Sequence, residues 1–175
     1  MKKLFKFIDK IIFSILLFSF SSCDLFKSEY ELLYERIQKF STSLYHKNKE
    51  EVRSYFAKNK IKDISNFDQS IDELFDYYQG DYISSTIESK GQEGDREGNY
   101  TAKWDMLSFN VETDIEKYRM AFYWCIEYTT DKDMLGIWSF SILKWKDDPN
   151  PNYAYWGETF SGIGINIGII DDRYE

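Results

Sequence analysis

Histidine, cysteine and proline are scarce in this chain of 175 residues, which has one His, two Cys and two Pro. With His46 as the single histidine a multi-histidine metal site is impossible, and with Cys23 and Cys125 as the two thiols a Cys2His2 zinc site fails on count. No metal and no cofactor is expected. Two prolines and nine glycines do not make a low-complexity or disordered composition. An excess of positive charge is also missing. The formal net charge is −8, and such a surface repels phosphate backbones, so nucleic acid is not expected as a partner.

Aromatic rings, by contrast, are abundant: five Trp, 14 Tyr and 14 Phe. Large rings bury much area per residue, and this length supports one well-filled core. The densest run is residues 118–128, Tyr-Arg-Met-Ala-Phe-Tyr-Trp-Cys-Ile-Glu-Tyr. It reads as the central strand of a single domain.

The N-terminus reads as an address. Lys2, Lys3, Lys6 and Lys10 precede an apolar run at residues 11–20 that is interrupted only by Ser14 and Ser19. A spanning helix needs about 20 apolar residues, so residues 1–22 are expected to be a signal peptide. The end of that run, Phe20-Ser21-Ser22-Cys23, resembles a bacterial lipobox. The resemblance implies lipidation at Cys23 and a domain held at the cell membrane, facing the extracytoplasmic side. Each buried CH2 of an acyl chain contributes about 0.8 kcal/mol, and two chains suffice for stable attachment. Residues 23–27 would then be the lipidated Cys and a short tether, and residues 28–175 a single α+β domain. Without residues 1–22 the net charge becomes −11, so lipid rather than surface charge has to hold it. Cys125 then has no partner in the chain and is expected to be a buried, inert thiol.

Helical periods come first. Ser28 is a plausible N-cap, and Leu33, Ile37, Phe40 and Leu44 share one face of a helix running to about Lys47. A short second helix follows at residues 49–58, an exposed basic connection at 58–62, and a third helix capped by Ser65 or Asn66. In that third helix Ile71, Leu74, Phe75 and Tyr78 face inward, and Gly80 follows its end. The period then changes to two. Strands are expected at residues 82–90, 100–111, 118–128 and 137–146, with an edge strand inside 153–170. The Gly-rich, charged residues 91–99 read as a loop. Helices first and then consecutive strands indicate α+β, with the helices on a curved antiparallel sheet of four to five strands.

Alternation divides the third strand into two faces. Tyr118, Met120, Phe122, Trp124, Ile126 and Tyr128 are expected to meet the helices, together with Trp138, Phe140 and Ile142 of the fourth strand. Arg119, Ala121, Tyr123, Cys125 and Glu127 are expected to look outward, solvated or against a second copy in a homodimer through this outer sheet face.

This order resembles the nuclear-transport-factor-2-like, cystatin-like cone architecture, and more closely an uncharacterised domain family of bacterial lipoproteins with that fold. The resemblance lies in residues 48–56, 74–80, 113–119, 136–139 and 162–163 and extends over most of residues 28–168. It implies a conical cavity between helices and sheet. It does not imply a reaction, because the fold hosts isomerases, dehydratases, binding modules and scaffolds.

Motifs that carry chemistry are weak. The run Gly162-x-Gly164-x-x-x-Gly168 misses the dinucleotide spacing and lacks a following helix, so it reads as an edge strand. Asp148-x-Asn150-x-Asn152 has Tyr153 in place of the turn Gly and Thr159 at the twelfth position of a calcium loop, and Asp131-x-Asp133 has Ile142 at that twelfth position. Nothing in the sequence positions His46 against Cys125. Asp105, between Trp104 and Met106, is the candidate catalytic carboxylate, with Glu127 second and Tyr78, Tyr82 or Tyr123 as proton partners. Tyr78, Tyr82, Trp104, Trp124 and Trp138 are the candidates for lining a ligand pocket. The reading the sequence favours is a membrane-anchored, non-catalytic module that binds a ligand or an envelope protein. A cone-fold acid–base enzyme and a structural envelope protein are the alternatives.

Overall fold

The computed structural model describes residues 27–148 and 164–168. Residues 1–26, with Cys23 and the segment expected to be a signal peptide, lie outside the described residues, as do both prolines, Asn150, Asn152 and Gly162. The chain falls into an N-terminal unit up to Arg36 and a main unit from Ile37 onward. Among the described residues, no helix is long and apolar enough to cross a membrane.

Helix α1 covers Glu29–Tyr45. Its start is a capping box, Ser28-x-x-Glu31, in which each residue satisfies the other's backbone. Glu31 Oε2 accepts from the Ser28 N–H at 2.6 Å, and Ser28 Oγ accepts from the Glu31 N–H at 3.2 Å. That backbone bond, with the Ser28 hydroxyl, holds the Glu31 carboxyl below its ordinary value. The helix stops in a Schellman motif. The Asn48 N–H reaches the Ser43 carbonyl at 3.0 Å, the Lys47 N–H reaches Leu44 at 3.1 Å, and Lys47 adopts φ 51°.

Helix α2, Lys49–Ser54, is capped by Asn48, whose side chain accepts from the Glu51 N–H. Residues 58–62 are not a mere connection. They include a four-residue helix α3, Lys58–Ile61, anchored by buried Ile61. Helix α4, Phe67–Tyr77, buries Phe67, Ile71, Leu74 and Phe75.

Five strands form one sheet in sequence order: β1 Tyr82–Glu97, β2 Tyr100–Thr113, β3 Lys117–Tyr128, β4 Gly136–Lys144 and β5 Gly164–Ile167. The first three pairings are antiparallel, but β5 runs parallel to β4, which corrects the wholly antiparallel expectation. The expected loop at residues 91–99 is strand as far as Glu97. Its charges sit on an edge strand that exposes both faces, where charge is tolerated and blocks further pairing. Only Gly98-Asn99 turns the chain, with Gly98 at φ 58°.

One sheet face meets the helices through phenyl rings. Phe40 of α1 packs edge-on against Phe122 at 5.5 Å and against Phe140 at 5.1 Å, and Phe122 lies 4.9 Å from Phe140 and 6.1 Å from Phe109. Each such ring pair adds about 0.5–1.5 kcal/mol beyond its area burial. At the β4 edge the chain after α2 comes very close. Ala57 and Tyr55 exchange backbone hydrogen bonds with Ile137 at 3.1 and 2.8 Å. A Cβ on Gly136, at φ 125°, would sit 2.8 Å from Ala57 N and from Tyr55 O. Only glycine fits there.

The outer face is not the solvated one that alternation predicts. Arg119 is fully buried, and Cys125 is 1% exposed. Three register shifts explain the rest. One between Ile87 and Ser89 leaves Glu88 bulged, one between Lys103 and Trp104 leaves Ile126 unpaired, and one between Tyr123 and Trp124 leaves Trp138 unpaired. Each extra residue resets the period of two. Ile126 is therefore exposed, while Tyr128 and Trp138 leave the helix side and join Ala102, Trp104 and Cys125 in a second apolar cluster.

Candidate functional site

Two antiparallel strands and one bulge place a charge cluster on the outer face. Asn110 of β2 is paired with Arg119 of β3. The bulge on β1 swings Glu88 to the same side, where its Oε2 accepts from the Ser108 hydroxyl at 2.9 Å. Arg119 donates from Nη2 to Glu88 Oε1 and from Nη1 to Asp148 Oδ2. The side chains of Arg119 and Asp148 are wholly shielded from solvent, and that of Glu88 is 14% exposed. A charge taken out of water survives only when paired and hydrogen-bonded, and two carboxylates on one guanidinium meet that condition. The turn after β4, Trp145–Asp147, lays the Trp145 ring 4.9 Å from the guanidinium carbon.

Beside this cluster lies an open groove of about 290 Å³ lined by Ser84, Thr86, Asn110, Glu112, Lys117 and Trp145, among others. Lys117 and Glu112 form a cross-strand ion pair at 3.2 Å. Asn110 Oδ1 is buried and accepts from no donor among the described residues. Tyr118 also borders the groove. Its hydroxyl accepts from the Gln79 N–H at 2.7 Å, and burial pushes it up to about 12. A second groove, about 460 Å³, runs along α2 and α3 over Phe56 and Ile61. Two of its cations are engaged, Arg53 with Asp68 and Lys58 with Asp133.

The candidates named from sequence are dispersed. Asp105 is 4% exposed on the helix-facing side, with Gln92 Nε2 donating to it at 3.1 Å. It lines neither groove. Glu127 is paired with Lys103 at 2.7 Å and half-exposed. Tyr78 is buried 5.0 Å from Tyr118, and burial drives its hydroxyl well above the ordinary range. The Tyr82 hydroxyl bonds Ser85 at 2.9 Å, and Trp124 packs 6.3 Å from Tyr55. Two of the five pocket candidates do meet. Trp104 lies edge-on to Trp138 at 5.1 Å and stacks on Tyr123 at 6.0 Å, with the Lys60 ammonium 3.8 Å above Trp138. Cys125 lies in that cluster, and burial pushes its thiol up to about 11, so it is not a nucleophile at neutral pH. Among the described residues, no group of His, Cys, Asp and Glu is placed to hold a metal.

Sequence reading missed Glu88, Arg119, Asn110 and Trp145. One signal was available: an arginine inside an apolar strand must have an anionic partner.

The molecule is thus an α+β domain whose described residues carry a charge cluster and a groove on the sheet face away from the helices. Residues 39–145, more than half of the chain, match the family described as Domain of unknown function (DUF5104), and the chain belongs to that family. The match includes Glu88, Arg119 and Trp145 but ends before Asp148 and β5. Among curated proteins, none matches the chain.

Proposed function

We propose that the protein is a lipid-anchored lipoprotein on the extracytoplasmic side of the cell membrane, acting as a non-catalytic binding module with a cone-type fold. The observation that carries the binding half is the outer-face groove of about 290 Å³, which lies beside the buried pair of Arg119 and Glu88. The helix-facing layer is occupied by Phe40, Phe109, Phe122 and Phe140, and Asp105 opens on neither groove. Asp105 lies in the helix-facing layer with Gln92 donating to it and lines neither of these grooves, which favours binding over acid–base catalysis. The anchoring half rests on the signal-peptide pattern and Cys23.

The two halves are tested separately. On detergent partitioning Cys23→Ala is expected to lose its acyl label and move to the aqueous phase, and retention in the detergent phase without label would sink the anchor. Native mass spectrometry of the full chain released from detergent is expected to show a bound species that Trp145→Ala loses. A bare mass for the wild type removes the binding half.

A further inference from the structure

We infer that the outer-face groove takes an uncharged saccharide of one or two rings, an inference that rests on the binding-module reading. Four observations converge on that chemistry.

The first is charge balance. Glu112 and Lys117 neutralise each other across the groove at 3.2 Å. Arg119 beneath it is held by Glu88 and Asp148. These groups leave one carboxylate charge in excess, which repels an anion, and both Glu88 oxygens are already taken by Arg119 and the Ser108 hydroxyl, so a cation finds no open acceptor there.

The second is the density of neutral hydrogen-bonding groups. Ser84 and Thr86 offer hydroxyls from the exposed edge strand, and Asn110 offers an amide from the floor. Hydroxyl-rich ligands, which donate and accept at every position, match a wall that also does both.

The third is Asn110 Oδ1. It is buried and has no donor among the described residues. Asn110 as a whole is only partly buried, so a turn of its amide brings this acceptor to the groove, where a ligand hydroxyl supplies the missing donor.

The fourth is the aromatic wall. Trp145 borders the groove, and the Arg119 guanidinium holds the ring from the protein side. A rigid indole offers the apolar C–H face of a sugar ring a flat surface, with C–H to π contacts adding to area burial. The volume, about 290 Å³, lies at the small end of ligand pockets, which run from about 300 to 1,000 Å³. It has room for a sugar of one or two rings.

The test is saturation-transfer NMR on the full chain in a sugar-free zwitterionic detergent, with cellobiose, chitobiose and maltose as probes and glycerol as the polyol control. At least one disaccharide is expected to receive saturation that glycerol does not. Trp145→Ala should weaken that binding about tenfold or more, as removing a pocket's main apolar contact does. Thr86→Leu serves as the second variant. Thr86 is exposed on the edge strand, so the larger side chain fills the groove without burdening the core, and it too should abolish the signal. Saturation that survives both substitutions, or no saturation of any saccharide, overturns the inference. Native mass spectrometry then separates the two failures. A Trp145-dependent species of another class refutes the saccharide and leaves the binding module standing, whereas a bare wild type ends both.

Discussion

Arg119 and Asp148 lie 29 residues apart in the chain and form an ion pair in which both side chains have no solvent exposure. Glu88 approaches the same guanidinium from β1, 31 residues away in the other direction. Removing one member of such a cluster strands the others. Arg119→Leu is expected to destabilise the domain by about 3–5 kcal/mol, because two carboxylates are left without their counter-charge. Urea unfolding of the full chain measures this. Adding Glu88→Gln and Asp148→Asn should recover part of the loss. A triple variant no more stable than Arg119→Leu would show that the carboxylates are not what the arginine compensates.

Gly136 supplies a second prediction. Its positive φ and the backbone atoms 2.8 Å from an added methyl leave no room for alanine. Gly136→Ala should cost about 1–3 kcal/mol or more, the range for strained backbone with a clash added. Gly98 is the control. It also has positive φ, 58°, but nothing lies within 4 Å of an added Cβ. Gly98→Ala should therefore cost only about 1 kcal/mol, the conformational term alone. Equal losses at both positions would remove the close-approach argument.

Lys47 holds a left-handed conformation at the end of α1 that glycine adopts without penalty. Lys47→Gly is expected to raise stability by about 0.5–1 kcal/mol. The substitution gives up an ion pair with Asp76 at 3.3 Å, but both side chains are largely exposed and such pairs contribute little. A fall in the thermal midpoint would mean that the pair matters more than the backbone.

Alkaline pH should loosen the fold. Burial pushes the Cys125 thiol from 9.0 up to about 11 and the Tyr118 hydroxyl from 10.0 up to about 12. The folded state keeps these protons at a pH where the unfolded chain has released them. Stability is therefore intact below pH 9.0 and falls as pH rises towards about 11 and then about 12. Urea midpoints taken across that window should decline. At pH 8 a thiol reagent should label Cys125 only after unfolding, and native-state labelling at the unfolded rate would contradict the burial.

Much of the fold was legible because it follows from local pattern. The Ser28 cap, the Ile71, Leu74 and Phe75 face of α4 with Tyr78 just past its end, and the succession of helices and then strands all arise within a few residues of one another. The misreadings arose where a single residue changed the count. Bulges at Ile126 and Trp138 moved aromatic side chains to the other face, and no composition signal marks a bulge. Residues 91–97 read as loop because glycine and charge usually mean one, yet an edge strand accepts both. The groove was less legible still. Asn110, Glu112, Lys117, Thr86 and Trp145 come from four separate segments, and only strand register brings them together. Asp105 drew notice as a carboxylate among apolar neighbours, but the sequence could not say that neither groove would reach it.

The parallel pairing of β5 has a consequence for how the chain comes to its fold. β1 to β4 follow one another through short connections and can assemble in sequence. β5 cannot: a parallel partner is not reached through a tight hairpin turn, and Gly164 meets Ser139 from further along the chain. Without β5, Ser139 to Ile142 would present an open strand edge to any extended segment of another copy. The four residues of β5 cover that edge, although they lie outside the stretch that defines the family.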